Sequence, residues 1–315
     1  MSDKTPPPVI HELKPGLAPQ PPDAPQPEVD AVTKELYEQL APSVVKIKVD
    51  DGNGSGFIIS KDGDVATDAH VVLGNRHFSV VTNDGVEHKA RLVKMDDVND
   101  LAILHIEDAK PCEFKPVKLG TSKDLKPDDP VWALGHPRGW DPTYISPGYF
   151  RKNETGQDVL DSENQVVRDH AKRVIAGLTP KERADAEAEL KKPMQNAQVN
   201  IQKGNSGGAL FDKNGKVVGI TDLSNLDSNS DFTPVESLIA LMEAKESKFT
   251  FSYKKTDDEL VLTDITRTNG DYRRPFADNI IVMGSADRKG DQASPANPAA
   301  GDGLFKDTMV YKYEK

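Results

Sequence analysis

Gly204-Asn205-Ser206-Gly207-Gly208, running straight into Ala209-Leu210-Phe211, sets a serine between glycines just before an apolar strand. Glycine weakens a strand interior and is used where the backbone must curl or approach another group closely, so this stretch reads as a shaped loop. Far upstream stand Thr67-Asp68-Ala69-His70 and Asn99-Asp100-Leu101-Ala102-Ile103. A serine hydroxyl is a poor nucleophile at neutral pH. It needs an imidazole to take its proton and a carboxylate to hold that imidazole in the right tautomer. His70, Asp100 and Ser206 suit those roles. A curl through Gly204, Asn205 and Ser206 lets the amides of Gly204 and Ser206 point at one spot, where a tetrahedral intermediate would place its negative oxygen.

Further signatures surround these three in a fixed order. Gly54-Ser55-Gly56-Phe57-Ile58-Ile59 comes first, then the His70 and Asp100 segments, then Leu134-Gly135-His136-Pro137-Arg138-Gly139, the Ser206 segment and Val217-Val218-Gly219-Ile220. The ordered set resembles the trypsin-like serine proteases, and within them the HtrA or Do-like branch, over about residues 31–245. The resemblance implies a mainly β fold, a chymotrypsin-like double antiparallel β-barrel. It puts His70 and Asp100 on the first barrel, Ser206 on the second, and the site in the cleft between them. It further implies a serine endopeptidase that cuts unfolded or flexible polypeptide segments through an acyl-enzyme. The alternative is a latent or inactive protease-fold protein that binds peptides or acts as a chaperone.

By the same resemblance Asn200, six residues before the serine, lies at the base of the primary specificity pocket, and Phe232 lines it. Trypsin-like cleavage after Lys or Arg uses an aspartate at the position of Asn200, because a buried cation needs a partner. Its absence predicts a preference for small or medium uncharged residues. His136 and Arg138 fall at a turn, away from proton transfer. Two departures stand beside the serine: Lys203 and Ala209 replace prolines usual in the branch, and both are expected to loosen the loop.

Composition narrows the remaining functions. The 315 residues carry a formal net charge of −11, which disfavours nucleic acid as a partner, since phosphate binding needs a basic surface. A lone cysteine, Cys112, excludes an internal disulfide and reads as a small, buried or half-buried residue rather than a nucleophile. His11, His77, His88, His105 and His170 show no metal-ligand spacing, so no metal and no cofactor are expected. No run approaches the ~18 apolar residues that would suggest a membrane-spanning helix. The N-terminus lacks the apolar core of a signal peptide. The chain as given thus reads as cytoplasmic or, since HtrA-like proteases usually act outside the cytoplasm, as a periplasmic or cell-envelope protein whose export segment is missing from the sequence. Polypeptides are the expected partners, with a homo-oligomer possible by resemblance.

Along the chain, residues 1–30 are dense in proline and read as an extended tail. Val32 to Leu40 follows a short helical pattern. Val45, Ile47 and Val49 then alternate with charge as a half-exposed strand. Asp62-Gly63, Asp84-Gly85 and Asn214-Gly215 sit between apolar runs and suit tight hairpins. Within 157–192, Val167, Ala171, Val174 and Leu178 recur at helical spacing. Thr179-Pro180-Lys181-Glu182 then opens a second helix with a capping box, so a helical hairpin is inserted there, one that shapes or covers the cleft or simply decorates the surface. A terminal helix is expected from about Val235 to Lys245. Residues 246–315 read as a small β-rich extension: Phe249, Phe251 and Tyr253 alternate, as do Leu260 and Leu262, with further strands at Ile280–Met283 and Met309–Tyr313. No loop suited to gripping a peptide carboxylate occurs in it, so a PDZ domain is not expected.

Overall fold

A computed structural model of the chain describes residues 30–110, 112–155, 193–224, 230–245, 248–256 and 259–267. The proline-rich tail, the 157–192 insertion and the strands expected beyond residue 267 lie outside the described residues.

The first barrel is built from β1 (Val44–Val49), β2 (Gly52–Ile58), β3 (Asp64–Asp68), β4 (Phe78–Val81), β5 (Glu87–Asp96) and β6 (Leu101–Ile106). These six antiparallel strands close in the order β1-β2-β3-β6-β5-β4. The second barrel comprises β8 (Pro130–Gly135), β9 (Tyr144–Thr155), β10 (Pro193–Val199), β11 (Ala209–Asp212), β12 (Lys216–Ser224) and β13 (Ser230–Pro234). Its order is β11-β8-β9-β10-β13-β12, and a β11–β12 pairing closes it; the short β7 (Lys118–Leu119) adds to β12 in parallel. The fold is mainly β, a chymotrypsin-like double barrel. No helix of the described residues is long and apolar enough to cross a membrane.

The three expected hairpin turns are present, with positive φ confined to Gly63, Gly85 and Gly215; the aspartate or asparagine before each keeps a negative φ. Such turns are longer than the two-residue type I′ form, in which both central residues have positive φ. At the tip of the β9–β10 hairpin, Thr155 pairs with Pro193, so the insertion leaves and rejoins the second barrel between adjacent strand ends.

Helix α1 (Ala31–Leu40) opens the described chain. The Asp30 carboxylate accepts from the N–H groups of Val32 and Thr33, both at 2.9 Å, and so satisfies two donors the helix cannot pair. Its buried residues, Thr33, Leu36, Tyr37 and Leu40, form one helical stripe. The Trp132 indole donates to Thr33 Oγ1 at 2.9 Å and docks the helix on the second barrel. The apolar core around it joins Val44, Phe57, Ala66, Leu101 and Ile103 of the first barrel to Leu134, Ile145, Ala209, Phe211 and Ile220 of the second.

Two elements after the second barrel return to the first. Helix α3 (Val235–Glu243) ends against Lys94 of β5, whose ammonium donates to the carbonyls of Leu241, Met242 and Ala244 at 3.2, 2.8 and 2.9 Å. The hairpin of β14 (Phe249–Lys255) and β15 (Leu260–Arg267) buries Phe249, Leu262 and Ile265 in the same cluster as Phe78, Leu92 and Ile106. Cys112 corrects an expectation: it is exposed, not buried, and holds a φ of 59° in the loop after β6.

Candidate active site

Strand pairing brings the His70 and Asp100 segments together. Asp68 at the end of β3 is in register with Leu101 at the start of β6, so the residues that follow one face those that precede the other. His70 sits in a one-turn helix, α2 (Ala69–Val72), and the turn before β6 wraps around its start. The Ala69 N–H donates to the Asp100 carbonyl at 3.0 Å and the His70 N–H to Asp100 Oδ1 at 2.8 Å. The second carboxylate oxygen, Oδ2, lies 2.6 Å from His70 Nδ1. Asp100 reaches this position with a φ of 53°, a left-handed conformation that Asp and Asn adopt more readily than most residues. An ionised carboxylate only accepts, so Nδ1 carries the proton of that bond. In the neutral ring Nε2 is then left as the acceptor.

The ring feels more than Asp100. Burial disfavours charge on the imidazole. Against that, Asp100, then Asp68 and Asp222, raise its pKa from the usual 6.5 to about 10. Asp68, Asp100 and His70 offer ligand atoms within 4.8 Å of one another, but Nδ1 is already engaged by Asp100, and the cluster reads as a proton site.

Ser206 is held by both barrels. Its carbonyl accepts from the Ser55 N–H at 2.8 Å, and the neighbouring Gly207 N–H donates to the Thr221 carbonyl at 2.9 Å. Gly207 has a φ of +81°, and a Cβ there would sit 2.2 Å from Thr67 Oγ1 and 2.4 Å from the Ser55 carbonyl, so only glycine fits. The Asn205 N–H donates to Gln202 O, and the Lys203 carbonyl accepts from Arg138 N–H at 2.6 Å. Among the described residues, the N–H groups of Gly204 and Ser206 donate to nothing. Asn205 therefore links the two free amides without offering its own. Beside the serine, the Lys203 carbonyl is anchored to Arg138, and Ala209 is paired with Leu134 on one side and Ile220 on the other.

The Ser206 hydroxyl donates to the Asp222 carbonyl at 3.4 Å and makes no hydrogen bond to His70. Of the two pocket candidates, Asn200 is buried, and Phe232 is fully enclosed among Phe150, Val199, Ile201 and Val218 in the core of the second barrel. His136 bonds Trp140 O at 3.0 Å and Thr143 Oγ1 at 3.2 Å, in keeping with a role in the turn alone. Ser55 was not singled out by sequence, yet its hydroxyl donates to the Gly204 carbonyl at 2.7 Å and accepts from the His136 N–H at 2.8 Å. The glycines on either side of Ser55 were the only signal of it.

Residues 54–220, just over half of the chain, match the family described as the trypsin-like peptidase domain. A probable periplasmic serine endoprotease, DegP-like, from Marinomonas sp. is 39% identical over 167 residues, covering 53% of this chain and 29% of the relative. The chloroplastic protease Do-like 1 of Arabidopsis thaliana is 31% identical over 209 residues, 61% of this chain and 41% of the relative. The chain thus spans less than half the length of these relatives. A crystal structure of the Rv3671c protease of M. tuberculosis H37Rv, in an inactive form, superposes with a TM-score of 0.52 at 22% identity, covering 70% of this chain and 98% of that one. At that identity it supports the fold alone. With the signatures in order across a closed double barrel, the chain belongs to the trypsin-like peptidase family, and its curated relatives are DegP and HtrA serine proteases.

Proposed function

We propose that the chain is a serine endopeptidase acting on unfolded or flexible polypeptide segments, with Ser206 as nucleophile, His70 as general base and acid, and Asp100 as the group that orients it. The observation that carries this reading is the bond from His70 Nδ1 to Asp100 beside a serine loop with two amides left free. Ser206 Oγ attacks the scissile carbonyl carbon and its proton passes to His70 Nε2, while the carbonyl electrons collect on an oxygen met by the N–H groups of Gly204 and Ser206. As the C–N bond breaks, His70 returns the proton to the leaving amine. Water, activated by the same ring, then releases the acyl group from Ser206. Asn200 is proposed for the base of the specificity pocket and Phe232 for its lining; with asparagine rather than aspartate at position 200, the pocket favours small or medium uncharged residues.

A fluorophosphonate probe, followed by mass spectrometry, tests the nucleophile. Labelling confined to Ser206, and absent in Ser206→Ala, is the expected result; a folded protein left unlabelled across the pH range overturns the reading. A peptide library given to the same preparation checks the pocket, and cleavage mainly after Arg and Lys refutes that part.

A second, narrower reading is a latent form of the same enzyme. It is favoured by the Ser206 hydroxyl, which is turned to the Asp222 carbonyl.

A further inference from the structure

The proton site holds more acid than a serine–histidine–aspartate relay requires. Asp68 lies two residues before His70, is completely enclosed, and has Oδ2 3.9 Å from His70 Nδ1, on the ring edge that Asp100 already occupies. Asp222 is 4% exposed and approaches from β12 of the other barrel. Among the described residues, the charged groups that face the ring are thus Asp100 from the turn before β6, Asp68 from the end of β3 and Asp222 from β12, three carboxylates. Only Asp100 has the geometry to orient the ring. The others act on it through their charge.

We propose that Asp68 is a second carboxylate of the proton-transfer site, a positioning residue acting through His70, and that with Asp222 it keeps the imidazole doubly protonated at neutral pH and the enzyme latent until alkali frees it. A doubly protonated ring carries a hydrogen on Nε2 and cannot take the serine proton. The Ser206 hydroxyl donates instead to the Asp222 carbonyl at 3.4 Å. Burial alone would push the imidazole towards its neutral form; Asp100 at 2.6 Å and Asp68 at 3.9 Å from Nδ1 pull the other way. The cleft is thereby poised with its nucleophile and amides in place and its base occupied. Losing the Nε2 proton to solvent is the single step that completes it.

The inference rests on the proposed endopeptidase reading for its consequence, and its test separates the two. The full chain, labelled with carbon-13 at histidine Cε1, is titrated by NMR from pH 5 to 11, with the His70 signal assigned through His70→Gln. In parallel, kcat/KM is measured against pH on a protein substrate. In the wild type the His70 signal is expected to titrate well above the ordinary imidazole range. In Asp68→Asn its midpoint falls by about one pH unit or more. The rising limb of kcat/KM moves with it, and activity at pH 7 increases several-fold. A carboxylate that only supports the fold would lower activity at every pH. Asp222→Asn gives the same direction of shift and decides the matter if Asp68→Asn does not fold. A wild-type His70 that titrates in the ordinary range overturns the proposal, as do variants that both leave its midpoint in place. Should the NMR midpoint move as expected while no pH gives turnover, the endopeptidase reading falls and the role of Asp68 stands.

Discussion

Ser55 shows how much of the oxyanion loop's shape depends on one hydroxyl in the other barrel. Its Oγ donates to the Gly204 carbonyl at 2.7 Å and accepts from the His136 N–H at 2.8 Å, while its own N–H donates to Ser206 O at 2.8 Å. The Gly204–Asn205 peptide is thereby fixed, and with it the direction of the amide on its N-terminal side. Ser55→Ala keeps the backbone bond to Ser206 but leaves Gly204 O and His136 N–H without their partner in a buried setting. A lost hydrogen bond of this kind costs ~1 kcal/mol or somewhat more. If the loop loosens only in the transition state, kcat falls about tenfold with KM nearly unchanged. Steady-state kinetics at the alkaline plateau provide the check, and an unchanged kcat would remove Ser55 from the machinery. At this scale the sequence was readable where chemistry demands a residue type, as for His70, Asp100 and Ser206. It was silent where a common residue gains its role from a partner 149 positions away, as Ser55 does with Gly204. Asp68 was in view within the His70 motif, but nothing local could show that its carboxylate is buried against the ring.

The β14–β15 hairpin illustrates the same division for elements. Alternation of Phe249, Phe251 and Tyr253 was enough to predict a strand, and Leu260 and Leu262 its partner. Where the pair docks was not predictable, because docking depends on an irregularity in another strand. In β5 the register with β6 shifts between Leu92 and Lys94, while β4 pairs only as far as Ala90, so the backbone of Leu92 is left without a strand neighbour on one side. The Tyr253 hydroxyl fills that gap: it accepts from the Leu92 N–H at 2.6 Å and donates to the Leu92 carbonyl at 3.2 Å. Burial raises the pKa of this phenol to about 12. A raised folded-state value means that its contribution is fully present below the unfolded value near 10 and is lost as pH rises through about 12. Tyr253→Phe should therefore cost about 1–2 kcal/mol at pH 7. It should also flatten the fall in stability between pH 10 and 12. Urea midpoints at pH 7, 10 and 12 test this, and equal losses in wild type and variant across that window would refute the hairpin's role. Tyr37, also raised to about 12 by burial, sets the background loss common to both proteins.

Across the whole molecule, the apolar core decides whether two barrels behave as two units or one. One cluster runs from α1 through Phe57 and Leu101 of the first barrel into Leu134, Phe211 and Ile220 of the second. The Lys94 bonds to the end of α3 and the docked hairpin tie the chain after the second barrel back to the first. Such sharing favours one cooperative transition. The two tryptophans of the chain, Trp132 and Trp140, make this measurable, because Trp132 lies in β8 and Trp140 follows it shortly, both on the second-barrel side. Leu262, fully buried in the cluster of the first barrel, is far from both along the chain and belongs to a different core. Leu262→Ala leaves a cavity there and should cost about 2–5 kcal/mol. In a single cooperative unit, tryptophan fluorescence and far-UV circular dichroism will shift to the same lower urea midpoint, although the cavity is in the barrel without tryptophan. If the barrels unfold separately, the fluorescence midpoint stays at the wild-type value while part of the dichroism moves. Coupling of that strength is also what the proposed site requires, since His70 and Asp100 hang on one barrel and Ser206 on the other, and an interface that opened easily would separate base from nucleophile.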